Sequence, residues 1–389
     1  MKIILFAHPS FLVSQSMPRF AAMLVHGMKD RGHTVEIWSP EARFFRIPFP
    51  GKLKKWLGYV DQYIVFPRQV KTWLRRCGED TLFVFADQAL GPWIPMVAHR
   101  PHVIHCHDFL AQRSARGDFS ENPVAFTGVQ YQKYIRSGYL AGKNFISVSH
   151  KTRNDLHDFY PTGYRLSEVV YNGLSGHFTR CDETSSRAEF SFRTGSDLSS
   201  GYLLHVGGNQ WYKNRIGVLD IYDAWRSQSG EVLPLVMIGA VVSNGLIQRY
   251  QQSPYKEDIY LLSGVDDEVI KHAYGGARVF LFPSLAEGFG WPIAEAMASG
   301  VPVVTTGEAP MSEVAGDAAF FIDRMPRAGR EIMEWAARCA DQVQRVLDLT
   351  TEQREMVVLK GIENVKRFDS KDTLDRIEQI YMQVLKDRS

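Results

Sequence analysis

Cysteine is scarce in this chain of 389 residues: the four present, Cys77, Cys106, Cys181 and Cys339, lie far apart and form no C-x-x-C. Such spacing argues against a disulfide framework or a cysteine-based zinc site and for a reducing compartment. Charge of one sign is equally lacking. With 45 Lys and Arg against 43 Asp and Glu the formal net charge is +2, so no bulk polyelectrolyte partner is implied, and nucleic acid is not expected. No apolar run approaches the length needed to span a bilayer. The run that opens the chain in 1–10 (MKIILFAHPS) is too short for a signal peptide and reads on as a strand, so a cytoplasmic protein is expected. D-x-D occurs nowhere and the first βαβ pattern lacks G-x-G-x-x-G, which removes one familiar metal-binding pair and any indication of dinucleotide binding at that end.

What is present suits two domains, because 389 residues exceed one ordinary core. The most informative stretch is 279–304, VFLFPSLAEGFGWPIAEAMASGVPVV. An apolar run ends at Pro283, a glycine-containing turn follows, 291–299 has the composition of a short helix closed by Gly300, and 301–304 is again apolar. In an open parallel sheet ligands lie outside the carboxyl ends of the strands, which puts 284–291 where a ligand is held. Glu287 falls in that loop and Glu295 in the first turns of the helix, whose amino end favours an anion. Each carboxylate can accept a bidentate pair of bonds from vicinal hydroxyls while the amides of Gly288, Phe289 and Gly290 face phosphate or sugar oxygens. A nucleotide sugar carries that series of groups. The plainer alternative is a solvated glutamate and a helix-favouring one on an ordinary βα unit.

Upstream, 202–206 reads as a strand, Gly207, Gly208 and Asn209 as a tight turn, and Lys213, Asn214 and Arg215 as the start of the next helix, a second place for a phosphate or for a merely solvated first turn. The segment 178–201, polar and without periodicity, reads as the domain boundary. In the first half, 2–7 is a buried strand, 10–16 (with Ser14, Gln15 and Ser16) a polar loop, and Phe20, Met23, Leu24 and Met28 one face of a helix. Composition shifts in 43–76, where nine Lys and Arg stand against Asp61 alone, with aromatic residues between them. That mixture suits an anionic membrane surface, or a solvated basic face over an ordinary core. His102, His105 and His107 alternate along a strand without a third ligand on either face, so no metal site is expected.

The stretch PSLAEGFGWPIAEAMASGVPVV closely resembles the signature of the GT4 family of retaining glycosyltransferases, and VIHCHDF at 103–109 and the Asn172–Gly173 turn resemble other segments of that family. The resemblance implies an α/β GT-B fold: two Rossmann-like doubly wound domains facing a central cleft, over 1–178 and 179–369, with a C-terminal helix over 370–389 crossing back to the first. It implies transfer from a nucleoside-diphosphate sugar (GDP-mannose or a UDP-hexose) to a hydroxyl of a glycan or lipid-linked acceptor, with retention and without a cofactor or essential metal. By the same resemblance Glu287 meets the donor sugar, Glu295 the ribose, His107 the sugar in transfer, and Lys213 the diphosphate. The family's arginine is replaced by Gly208, so Arg215 or a helix dipole must supply that charge. A non-catalytic nucleotide-sugar-binding subunit and a UDP-sugar epimerase are the alternative readings.

Overall fold

Apolar runs of three to five residues, each closed by a Gly, Pro or polar turn, form two parallel sheets in the computed structural model, which describes residues 1–12, 16–49, 53–174, 176–327 and 329–387. Ser14, Gln15 and Lys52 lie outside the described residues. The strands are β1 (Lys2–Phe6), β2 (Thr34–Trp38), β3 (Thr81–Phe85), β4 (His102–Cys106), β5 (Asn144–Ser147) and β6 (Leu166–Val169) in one sheet. The other holds β7 (Leu203–Val206), β8 (Leu235–Gly239), β9 (Ile259–Ser263), β10 (Val279–Phe282), β11 (Val303–Thr306) and β12 (Phe320–Ile322). Two units result, Met1–Tyr171 with Lys371–Ser389, and Asn172–Ser370.

In the first unit the order is β2-β1-β3-β4-β5-β6. The chain leaves β1 for β2 on one flank and then crosses to β3 on the other, so the connections diverge beyond the carboxyl ends of β1 and β3. That divergence is the topological switch point, where open α/β sheets hold their ligands. In the second unit the order is β12-β11-β10-β7-β8-β9, and the same divergence falls between β7 and β10.

Both faces of the first sheet are covered, as parallel strands require. Alternation sends Ile4 and Phe6 into an aromatic core with Trp38, Phe83, Phe85 and Trp93, and Ile3 and Leu5 into a second core with Leu24, Leu82 and Val84. The second core is closed by the helix Ser370–Lys386 through Leu374, Ile377, Ile380 and Tyr381. Gly27 allows that contact, because a Cβ there would lie 2.4 Å from Leu374 Cδ1.

Two expectations need correction. The segment 178–201 is not where the units divide, for Glu183–Thr194 is a helix of the second unit with Asp182 accepting from the Ser185 N–H. Its short polar side chains serve as cap and solvent face, which hid the periodicity. The units divide at Tyr171 and Asn172 instead, and again at Ser370 and Lys371. In 43–76, Asp61 does not oppose the surrounding cations. It is buried and accepts from the backbone N–H groups of Arg43, Phe44 and Phe45 at 3.1, 3.0 and 2.9 Å.

Backbone meets backbone where the 3-10 segment Gln88–Met96 crosses the helix Phe126–Tyr139: a Cβ on Gly138 would lie 2.1 Å from Gly91 O. Gly138→Ala should therefore destabilise the first unit by about 2 kcal/mol or more, read as a lower urea midpoint, whereas an unchanged midpoint would mean the crossing can open at no cost.

Candidate functional site

At the switch point of the second unit the loops after β7 and β10 are tied together. Lys213 Nζ lies 2.8 and 2.9 Å from the two carboxylate oxygens of Glu287, and both side chains are largely buried. Ser284 Oγ donates to Glu287 Oε1 at 2.8 Å. Backbone and amide bonds hold the loops in register: Leu285 N–H donates to Tyr212 O at 2.7 Å, and Asn214 Nδ2 donates to Pro283 O at 3.0 Å. From below, Thr305 and Thr306 Oγ1 donate to Phe282 O and Ser284 O.

Asn214 is the N-cap of the helix Arg215–Gln228, in left-handed backbone at φ 51° with Oδ1 accepting from Gly217 N–H. Asparagine tolerates that conformation better than most residues. The cap turns Arg215 inward. Its Nη1 donates to Asn209 Oδ1 at 2.6 Å and to Ala240 O at 3.2 Å, while Nε and Nη2 are buried with no hydrogen-bond partner among the described residues. Among the described residues it forms no ion pair. Burial pushes its pKa down from the ordinary guanidinium value, yet an arginine retains its proton in proteins. A buried cation with two idle donors is costly unless an anion completes it.

Gly208 carries no side chain where the family has arginine. The space beside it is occupied, since a Cβ would meet Gln210 Oε1 at 2.4 Å, and Gly207 is pressed by Gly239, whose Cβ would fall 1.9 Å from Gly207 O. Beneath this turn His205 is buried and pushed down to about 3 by that burial, so it stays neutral, with Nδ1 on Leu281 O. Glu295 is buried in the helix Trp291–Ala298 and accepts from Tyr274 Oη at 3.1 Å. Gly290 caps that helix at φ 106°, Gly288 is half-buried, and Phe289 packs its ring edge-on against Phe368 at 5.3 Å.

The structure thus brings Gly208, Asn209, Lys213, Arg215 and Glu287 to one pair of loops, followed by Gly288 to Gly290, with Glu295 in the adjoining helix. His107 belongs to the first unit. It follows β4 with Nε2 on Ala86 O at 2.9 Å and its ring against Phe20 at 4.4 Å. Burial lowers its pKa, against the pull of Asp87, and keeps the ring neutral. Sequence reading missed Ser284 and Tyr274: the first lies three residues before Glu287 and was within reach of inspection, whereas the second is 21 residues from Glu295 and has no local signal.

Because Glu287 is nearly sealed from water, Lys213→Ala should cost about 3 kcal/mol of stability by leaving a buried carboxylate without its cation. Adding Glu287→Gln should return most of the loss, measured by urea unfolding as a double-mutant cycle; additive effects would deny the pair any coupling.

Comparison with known proteins follows the same division. Residues 17–175 match the model for Glycosyltransferase Family 4, and residues 186–339 the model for glycosyl transferases group 1. The chain is similar to O-antigen chain mannosyltransferase B of Escherichia coli, 36% identical over 125 residues, or 32% of this chain and 33% of that protein. It is also similar to O-antigen chain mannosyltransferase RfbU of Salmonella typhimurium, 23% identical over 195 residues, or 50% of this chain and 51% of that one. The matches therefore span about a third and about half of these relatives. In fold it resembles Anabaena HepE, solved in complex with UDP and glucose, with TM-score 0.69, 16% identity and coverage of 97% of this chain and 98% of that one. Two six-stranded parallel sheets of switch-point topology, with both family models in consecutive register along them, make this chain a GT-B protein of the GT4 family of glycosyltransferases.

Proposed function

We propose that the protein is a retaining glycosyltransferase that moves a hexosyl group from a nucleoside-diphosphate sugar to a hydroxyl of a glycan or lipid-linked acceptor in cell-surface polysaccharide synthesis. The observation that carries this reading is Arg215, a buried guanidinium with two idle donors beside a lysine already paired to a carboxylate. A diphosphate is the anion that fits. It supplies enough oxygens to complete Arg215 and to draw Lys213 from Glu287, which frees that carboxylate for sugar hydroxyls. Arg215 thereby does the work of the arginine absent at Gly208, and Glu295, steadied by Tyr274, receives the ribose. Lys213, Arg215 and the helix they begin neutralise the leaving group in place of a metal. His107 stands on the acceptor side. The two O-antigen chain mannosyltransferases described above favour a mannosyl donor such as GDP-mannose over a UDP-hexose.

Lys213→Ala and Arg215→Met should each weaken GDP or UDP about tenfold to a hundredfold in calorimetry, as for loss of about 1.5–3 kcal/mol of charged hydrogen bonding, and weaken the monophosphates less. Equal losses for both nucleotides reject the diphosphate assignment. Release of nucleoside diphosphate on addition of acceptor, with retained anomeric configuration by NMR and no loss to a chelator, checks the reaction; product from donor alone would indicate an epimerase, and tight binding without turnover an accessory subunit.

The acceptor side is proposed to dock on the cytoplasmic face of an anionic membrane. No helix among the described residues is long and apolar enough to cross one, but the region around 43–76 exposes Phe44, Ile47, Phe49, Ile64 and, at 60%, Trp56. Arg43, Arg46, Lys54 and Lys55 are exposed among them. Cations near anionic headgroups contribute about 1 kcal/mol each, and rings settle at the interface. The protein should sediment with anionic vesicles at low salt, less so at 1 M, where the Debye length is ~3 Å. Lys54→Glu with Lys55→Glu and Trp56→Ser should release it without changing nucleotide affinity. Parent protein remaining in the supernatant would point to a water-soluble acceptor.

A further inference from the structure

A buried hydroxyl in the second unit is spent on a side chain rather than on the backbone. Tyr274 has no exposed surface, and its Oη donates to Glu295 Oε2 at 3.1 Å. The neighbouring Tyr202 shows the structural alternative: equally buried, it donates to Ala273 O at 2.7 Å and so holds a helix end. A phenylalanine would fill the place of Tyr274 between Phe178 and Phe280, whose rings meet its own at centroid distances of 5.6 and 5.4 Å. The hydroxyl therefore adds little to packing and requires a partner once buried. That partner is a carboxylate.

Helix packing sets where the ring lies. Tyr274 is in the last turn of the helix Asp267–Gly276, which ends on two glycines. A Cβ on Gly275 would lie 2.5 Å from Ser186 Oγ, and one on Gly276 2.7 Å from Tyr202 Oη. The pair lets the helix end settle against the helix Glu183–Thr194 and Tyr202, where Arg187 Nε donates to Gly276 O at 2.9 Å. The rings of Phe178 and Phe280 stand at 88° and 60° to that of Tyr274 and limit its rotation. Glu295, in the second turn of Trp291–Ala298, is itself buried. Its side chain has three rotatable bonds, and a phenol that holds one oxygen removes much of that freedom. A carboxylate offers about four lone-pair sites, enough for the phenol and two vicinal hydroxyls together.

We propose that Tyr274 is a positioning residue for Glu295 and that the two make the site select ribonucleoside diphosphates over their 2′-deoxy counterparts. This rests on the reading of Glu295 as the carboxylate that receives the ribose of a nucleoside-diphosphate sugar. With Oε2 held by the phenol, the plane of the carboxylate is set before the ligand arrives, and the 2′- and 3′-hydroxyls, both donors, meet it without reordering. A 2′-deoxyribose brings one donor fewer to a buried anion, the circumstance in which a missing hydroxyl is felt most. Released from Tyr274 the side chain can turn, so the advantage of the 2′-hydroxyl shrinks although the carboxylate remains.

The test uses the full chain and calorimetry with GDP against 2′-deoxy-GDP and UDP against 2′-deoxy-UDP. The parent should prefer the ribose form by about tenfold to a hundredfold, as for one hydrogen bond to a charged group. Tyr274→Phe should shrink that preference about fivefold, with the ribose form losing more than the deoxy form. Glu295→Ala should abolish it, and adding Tyr274→Phe to Glu295→Ala should change it no further. Tyr222→Phe, which removes a buried hydroxyl bonded to Leu233 O at 2.9 Å, should lower the urea midpoint and leave the preference intact. Glu295→Asp keeps the charge on a shorter arm, away from the phenol, and should lose the preference as Glu295→Ala does. A preference within about twofold of the parent's in Tyr274→Phe, or in Glu295→Asp where Tyr274→Phe does not fold, overturns the positioning role alone. So does a Tyr222→Phe protein that loses the preference as far as Tyr274→Phe. A parent that binds a nucleotide without preferring ribose overturns the assignment of ribose to Glu295, and one that binds neither GDP nor UDP overturns the nucleotide-sugar reading as tested; the role of Tyr274 falls with either.

Discussion

The bond between Lys213 and Glu287 is the contact on which the second unit's site depends. It joins a loop that follows β7 to one that follows β10, the two strands at which the winding of the sheet reverses. Without it two like-facing loops would present an unpaired ammonium and an unpaired carboxylate in surroundings that water barely reaches, each at a cost of several kcal/mol. The pair also keeps both charges in waiting. Under the proposed function, the anion of the donor would replace the carboxylate on Lys213 with little change in net charge, so the groups are arranged before binding.

Arg215 shows the opposite economy. Its Nε and Nη2 are buried without a hydrogen-bond partner among the described residues, which leaves two donors of a buried cation unsatisfied. Asn214 and Asn209 account for the residue's position: one caps the helix and turns the guanidinium inward, the other holds Nη1. Two unsatisfied donors on a buried cation cost stability, a cost that the proposed diphosphate would offset. The same reasoning separates His205 from the site's charged groups. Burial leaves it neutral and bonded to Leu281 O, a packing residue under the glycine turn.

The basic region illustrates how a composition signal changes meaning once folded. Counted along the chain, Asp61 looked like the lone counter-charge of a cationic run. In three dimensions it closes a local turn, accepting from Arg43, Phe44 and Phe45, and the cations among the described residues of 43–76 are left exposed. The aromatic residues divide as well. Phe66 is fully buried, Tyr63 shares a hydrogen bond with Tyr131 in a half-buried cluster whose interior raises the Tyr63 phenol well above its usual value, and Trp56 is exposed. Phe44 and Phe49 are exposed as well, and such rings have surface to offer a partner.

The sequence by itself determined the fold class, the strands and the family. Short apolar runs alternating with amphipathic segments permit little besides parallel α/β layers, and the residues around Glu287 and Glu295 are crowded into one βα unit where local spacing carries the signal. It also located Lys213 and Arg215, because both adjoin a glycine turn at a strand end. Tertiary structure alone decided which of these groups meet. The Lys213–Glu287 pair spans 74 positions and Tyr274–Glu295 spans 21. Each is fixed by strand order, which no local pattern encodes. The polar segment 178–201 fails for a related reason: Asp182 caps it locally and burial of Phe190 makes it a helix of the second unit, and that burial is not visible until the neighbouring elements are in place.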